Sequence, residues 1–182
     1  ASFNNSAGLS RSVNEHLGQG TDVFIAEMGA YGPGEIADLV GWIRPSISVL
    51  AAIGPVHLER FGDLDTIVAS KSEIFATSRT AIVNVDAYGL TGEADRLEAS
   101  GIEVLRCSSI DPDADIVVIK NSQGLEVTVS GRQIVVGLPV DAAPTNVACA
   151  VAVAVTLEIP DEIIARRLAD LPSAEHRRQV LV

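Results

Sequence analysis

Short apolar runs alternate with stretches in which apolar residues recur every three or four positions through the first hundred residues of the chain. The opening ASFNNSAG is rich in Asn, Ser and Gly and reads as a loop, after which Ser10 can cap a helix through His16 that Gly18 and Gly20 end. Asp22–Ala26 reads as a first strand, followed by a glycine-rich loop and a helix with Ile36, Leu39, Val40 and Ile43 on one face. Pro45 stops that helix. Ile47–Ile53 is a second strand, Gly54 and Pro55 turn it, and Asp63–Thr77 reads as a helix with Ile67, Ser70, Lys71 and Ile74 at helical spacings. Ala81–Val85, Glu93–Ala99 and Ile102–Cys107 add strand, helix and strand. Alternation of this kind predicts an α/β fold, a mostly parallel sheet covered by helices on both faces.

The pattern then changes. Asp115–Lys120, Leu125–Ser130 and Gln133–Val136 are short runs separated by NSQG and GR, which are hairpin spacings, so a small antiparallel subsheet is expected beside the parallel strands. From Pro144 the chain returns to helix, first through the Ala/Val-rich run Asn146–Leu157 and then through Asp161–Leu171, set between Pro160 and Pro172. The expected organisation is one domain over residues 1–182, with a parallel α/β core in 1–110, the antiparallel strands in 111–140 and C-terminal helices in 141–182.

A chain of 182 residues that is 47% hydrophobic can bury a substantial core. Its formal charge of -11 argues against a nucleic-acid backbone or an anionic membrane as partner, and requires that any phosphate ligand be neutralised locally. Cys107 and Cys149 lack metal-type spacing and read as buried free thiols of a reducing compartment. The longest apolar run, Val147–Leu157, is too short to span a bilayer, so a cytoplasmic location is expected. The chain opens on Ala1 and closes on the strand-like QVLV, which suggests a segment of a longer protein.

Ligands of open parallel sheets bind beyond the carboxyl ends of the strands. Glu27 follows the first predicted strand, His57 lies just past the second, and Asn84 and Asp86 close the third, so three strands deliver polar groups to one edge. Carboxylates with one imidazole suit Mg²⁺, although each residue also reads as an ordinary solvated loop end. Lys71, one of only two lysines, falls where its helix should face inward. An ammonium beside a metal is repelled, so a role there calls for a bound phosphate or for carbamylation to an anionic oxygen ligand. Gly29, Gly32 and Gly34 lack the Walker spacing and a following lysine, and fit better as the lead-in to a helix that Glu35 favours at its positive end. Ser2, Ser6 and Ser10 show no nucleophile elbow, His16 reads as a solvated helix residue, and His176 sits in an AEHRRQ cluster that reads equally as surface.

The segments FNNSAG, FIAEMGAYGPGEI, AIGPVHLERFG, SKSEIF and IVNVD, in this order, resemble the central domain of the Mur ligases. The likeness runs from Ser2 to Asp86, resumes at Asn146 and reaches the terminal HRR, and it is strongest to the branch that adds D-alanyl-D-alanine to a UDP-muramoyl tripeptide. The resemblance implies an ATP-dependent, Mg²⁺-dependent ligase that phosphorylates a carboxylate and lets an amine displace the phosphate. It implies that Glu27, His57 and a carbamylated Lys71 hold the metal, His57 and Lys71 being the catalytic pair. Asn4 and Asn5 match the segment near the UDP-linked substrate, Asn84 and Asp86 the nucleotide side, Asn146 the adenine contact, and Arg177 the arginine near the ATP phosphates. Ala142 stands where the family usually has a histidine, and the family's P-loop and amine-binding domain lie upstream and downstream of the matched segments. The implied partners are a UDP-muramoyl peptide and an amino acid or dipeptide, with no nucleic acid or membrane. Folylpolyglutamate-type and cyanophycin-type ligases, and a non-catalytic binding domain of the same fold, are the alternatives.

Overall fold

The computed structural model describes residues 4–55, 58–138 and 142–171. These residues divide into two compact units, one drawn from Ala1–Ser46 and Ile53–Ser78, the other from Ile47–Ala52 and Arg79–Val182.

The first unit is helical. It comprises α1 (Ser6–His16), α2 (Glu35–Ile43), the short α3 (Leu58–Phe61) and α4 (Leu64–Ser72), which runs into a 3₁₀ turn at Glu73–Phe75. α1 begins earlier than Ser10, because Asn5 takes the cap: its Oδ1 accepts from Gly8 N at 2.9 Å. Asp63 caps α4 in the same way, accepting from Thr66 N at 2.7 Å. The two packed helices α2 and α4 bury Ile36, Leu39, Val40 and Ile67, and the turn after α4 adds Phe75.

One expectation fails here. Asp22–Ala26 is not a strand, and its apolar side chains are open to solvent, with Ile25 84% exposed. A strand needs a neighbour to take its ladder hydrogen bonds, and this segment pairs with none of the described strands.

The second unit holds a six-stranded sheet in the order β1 to β6: β1 (Ile47–Leu50), β2 (Thr80–Asn84), β3 (Glu103–Ser108), β4 (Ile116–Asn121), β5 (Gly124–Val129) and β6 (Arg132–Leu138). β1 to β4 pair in parallel, and β4 to β6 are antiparallel. The expected α/β class therefore holds, with the antiparallel hairpins continuing the same sheet through β4. All five positions of β2 are buried, as expected for a strand covered on both faces. α5 (Leu90–Ala99) packs on β2 and β3 through Leu90, Ala94 and Leu97, while α6 (Pro144–Thr156) packs on β2, β3 and β4 and α7 (Asp161–Ala169) on β6.

The α6 side forms the main core, in which Ile82, Ile116, Val118, Leu125 and Val127 meet Val147, Ala148, Val151 and Ala152. Small residues along α6 let the helix lie close to the strands, and Pro144 starts it where no intrahelical N–H is needed. Gly124 marks a tight point. Its φ is +125°, and a Cβ there would collide with the Leu138 carbonyl of β6.

Candidate active site

In the first unit, the segment carrying Glu27 is held by several ties. Gly29 N donates to Asn4 O at 2.8 Å, and Asn4 lies so close that a Cβ on Gly29 would come within 2.8 Å of its Nδ2. The structure thus brings Asn4, Asn5 and the Glu27–Gly29 stretch to one place. Further along, Tyr31 N donates to Glu35 Oε2 at 2.7 Å, and the Arg60 guanidinium lies 5.7 Å from the Tyr31 ring centroid. The Glu73 carboxylate then closes the loop, taking Gly34 N at 2.8 Å and Ala37 N at 3.0 Å. The glycine-rich stretch is therefore a helix lead-in, as its spacing predicts.

Glu27 itself is exposed and bonds to no described residue. Lys71, in the last turn of α4, is half-buried and pairs with no described carboxylate. Beside it, the buried Ser72 Oγ finds no hydrogen-bond partner among the described residues. Among those residues no three His, Cys, Asp or Glu side chains cluster to hold a metal. His57 and Arg177, expected at the metal and at the ATP phosphates, lie outside the described residues.

In the second unit, Asn84 and Asp86 sit at the carboxyl end of β2 and are both engaged. Asn84 is buried, donates through Nδ2 to Ala51 O at 2.7 Å and accepts from Asp86 N at 3.1 Å, which ties the chain after β1 to the turn after β2. Asp86 accepts from Ser108 Oγ, and from both Ser109 N and Ser109 Oγ at 2.7 Å. Ser108 Oγ in turn accepts from Ile110 N at 3.0 Å and Asp111 N at 2.7 Å. Asp86 thus organises the loop after β3. Asn146 is exposed in the first turn of α6.

The two cysteines are free, buried thiols, as their spacing predicts. Cys107 on β3 and Cys149 on α6 are buried in the same core, and their mutual interaction, with burial, pushes the Cys107 thiol above its usual range while it draws the Cys149 thiol below its own. A surface hollow of about 480 Å³ lies between β6 and α7, lined by Arg132, Gln133, Ile134, Asp161, Glu162 and Ala165, and no expected site residue borders it. Among the described residues no helix is long and apolar enough to cross a membrane.

The residues that organise these groups, Glu73, Ser108 and Ser109, carry no sequence signal of their own. Their partners are distant in the chain, 39 residues away for Glu73 and Gly34.

The sequence pattern of the Mur ligase middle domain matches residues 1–154. The chain belongs to that family. It is 30% identical over 187 residues to the UDP-N-acetylmuramoyl-tripeptide--D-alanyl-D-alanine ligase of Mycobacterium bovis, covering 98% of this chain and 36% of that enzyme. It is 28% identical over 166 residues to the UDP-N-acetylmuramoylalanine--D-glutamate ligase of Nitrobacter hamburgensis, covering 86% of this chain and 35% of that enzyme. The chain thus spans about a third of the length of these relatives. Among solved structures it is similar to MurF from Acinetobacter baumannii, with a TM-score of 0.75 at 24% identity over 97% of this chain and 40% of that one. MurF ligase from Thermotoga maritima in complex with ADP superposes with a TM-score of 0.72 at 23% identity, covering 91% of this chain and 39% of that one. At these identities the superpositions speak for the Mur ligase middle-domain fold.

Proposed function

We propose that this chain is the ATP-dependent middle domain of a ligase that joins an amine, D-alanyl-D-alanine, to the carboxylate of a UDP-muramoyl peptide in peptidoglycan precursor synthesis. The observation that carries the reading is in the first unit, where Asn4 packs on Gly29 two residues from an exposed Glu27 that bonds to no described residue. On this reading Asn4 and Asn5 would lie near the UDP-linked substrate, and Glu27, on the stretch packed against Asn4, would serve the metal.

The donor chemistry fits Mg²⁺. Glu27 offers a hard oxygen, and the half-buried Lys71, which pairs with no described carboxylate, suits conversion to a carbamate that adds a second anionic oxygen. Glu27, His57 and Lys71 would hold the metal. When bound, ATP and Mg²⁺ supply the phosphoryl group and the positive charge that neutralises its oxygens. On the family resemblance, Lys71 and His57 would be the catalytic pair, Asn84 and Asp86 would serve the nucleotide side, Asn146 the adenine and Arg177 the ATP phosphates.

The match to a D-glutamate-adding relative supports a second amine on the same chemistry. The test uses the full-length ligase, with phosphate release measured for UDP-muramoyl tripeptide plus D-alanyl-D-alanine against UDP-muramoyl-alanine plus D-glutamate. Turnover with the first pair alone is expected. Turnover with only the second reassigns the amine, and no ATP-dependent turnover with either overturns the ligase reading. The 182-residue chain, which has no Walker sequence, is expected to show no ligase activity by itself. Phosphate release from ATP by that chain, lost in Glu27→Gln, would overturn this.

A further inference from the structure

We infer that Glu73 is a positioning residue of the metal site, a carboxylate that locks the loop after Glu27 to the end of α4 carrying Lys71. The inference rests on the reading of Glu27 and Lys71 given above. Its basis is geometric: Glu73 directly follows α4, two residues past Lys71, yet its Oε1 and Oε2 accept from Gly34 N at 2.8 Å and Ala37 N at 3.0 Å.

Gly34 is the N-cap of α2 and Ala37 its third residue, so both are amides that a helix start leaves without partners. A local Ser, Thr, Asp or Asn ordinarily serves them. Here the N-cap is a glycine at φ +87°, which has no side chain to offer, and the nearby Glu35 is committed to Tyr31 N. The cap is therefore supplied from 39 residues away, by a carboxylate two residues past Lys71.

A purely structural cap needs no such distance, since Asp63 does the same service for α4 from the neighbouring position. The consequence of the remote cap is mechanical. The end of the loop that runs from Glu27 to α2 and the turn that follows Lys71 are thus joined through one carboxylate, which couples the placement of the two segments. Groups that orient a ligand from behind are commonly worth about 10- to 100-fold in metal affinity or activity.

The experiment uses the full-length ligase with Glu73→Ala, Glu73→Gln and Asp63→Ala, the last removing the cap at the far end of α4. Two quantities are read: the Mg²⁺ concentration for half-maximal phosphate release, and the ¹³C carbamate signal on Lys71 after ¹³C-bicarbonate labelling, without ATP. Glu73→Ala is expected to raise the Mg²⁺ requirement about tenfold or more and to weaken the carbamate signal. Asp63→Ala should leave both near the parent. Glu73→Gln, which keeps one acceptor oxygen, should fall between them, and it carries the test where Glu73→Ala does not fold. Glu73 variants that match Asp63→Ala in both readouts overturn the inference. A fully active Lys71→Ala with no carbamate signal in the parent instead overturns the metal-site reading beneath it, so the two failures are distinguishable.

Discussion

Replacing Asp86 with alanine removes the acceptor for three donors at once: the Ser108 hydroxyl and the amide and hydroxyl of Ser109. The Ser109 hydroxyl can turn to water at modest cost. Ser108, by contrast, is fully buried, and its hydroxyl keeps accepting from Ile110 N and Asp111 N while its own proton is left without a partner. A hydrogen bond to a charged group contributes about 1.5–3 kcal/mol, and a buried donor left unsatisfied costs about 1–3 kcal/mol. The three bonds share one half-buried carboxylate and are not additive, so the expected loss is about 2–4 kcal/mol. That is a large part of the ~5–15 kcal/mol typical of a folded domain. Asp86→Asn keeps one acceptor oxygen and should lose about half as much. Urea unfolding followed by far-UV circular dichroism measures both variants. An Asp86→Ala chain whose unfolding free energy lies within about 0.5 kcal/mol of the parent would refute this account, because that is the range of surface changes that touch nothing.

Other perturbations have equally definite outcomes. Gly124→Ala should destabilise by about 2–4 kcal/mol, since the added methyl meets the Leu138 carbonyl at a φ of +125°, and a thermal melt within 2 °C of the parent would contradict it. The Asp63 carboxyl is held below its ordinary value of 3.8 by hydrogen bonds from Thr66, so its contribution is present above that value and lost as pH falls through the lower folded value. Consequently the stability gap between the parent and Asp63→Ala should be constant near neutral pH and close below about pH 3.8; a gap that widens with acid would reverse the sign. Lys71→Ala should abolish phosphate release by the full-length ligase, with small carboxylates and not bicarbonate restoring part of it. Undiminished activity in that variant would take the lysine out of the site.

Much of the fold is legible in the chain because it depends on neighbours in sequence. The apolar run of β2, the alternation of strand and helix, the hairpin spacings after residue 110 and the Ala/Val face of α6 each state a local preference that the structure keeps. The caps divide along the same line. Asp63, one residue before its helix, is readable, whereas the Glu73 cap of α2 is not, because a side chain that serves amides 36 and 39 residues away leaves no local pattern. Asp86 follows the same logic: its place after β2 is evident, but its acceptors' partners, Ser108 and Ser109, reach it only once β3 lies alongside β2. The segment Asp22–Ala26 shows the opposite case, a composition suited to a strand that stays open because no described strand pairs with it. Apolar periodicity is a property of each stretch, while ladder bonds, remote caps and shared carboxylates are properties of pairs. Only the folded chain decides which pairs exist.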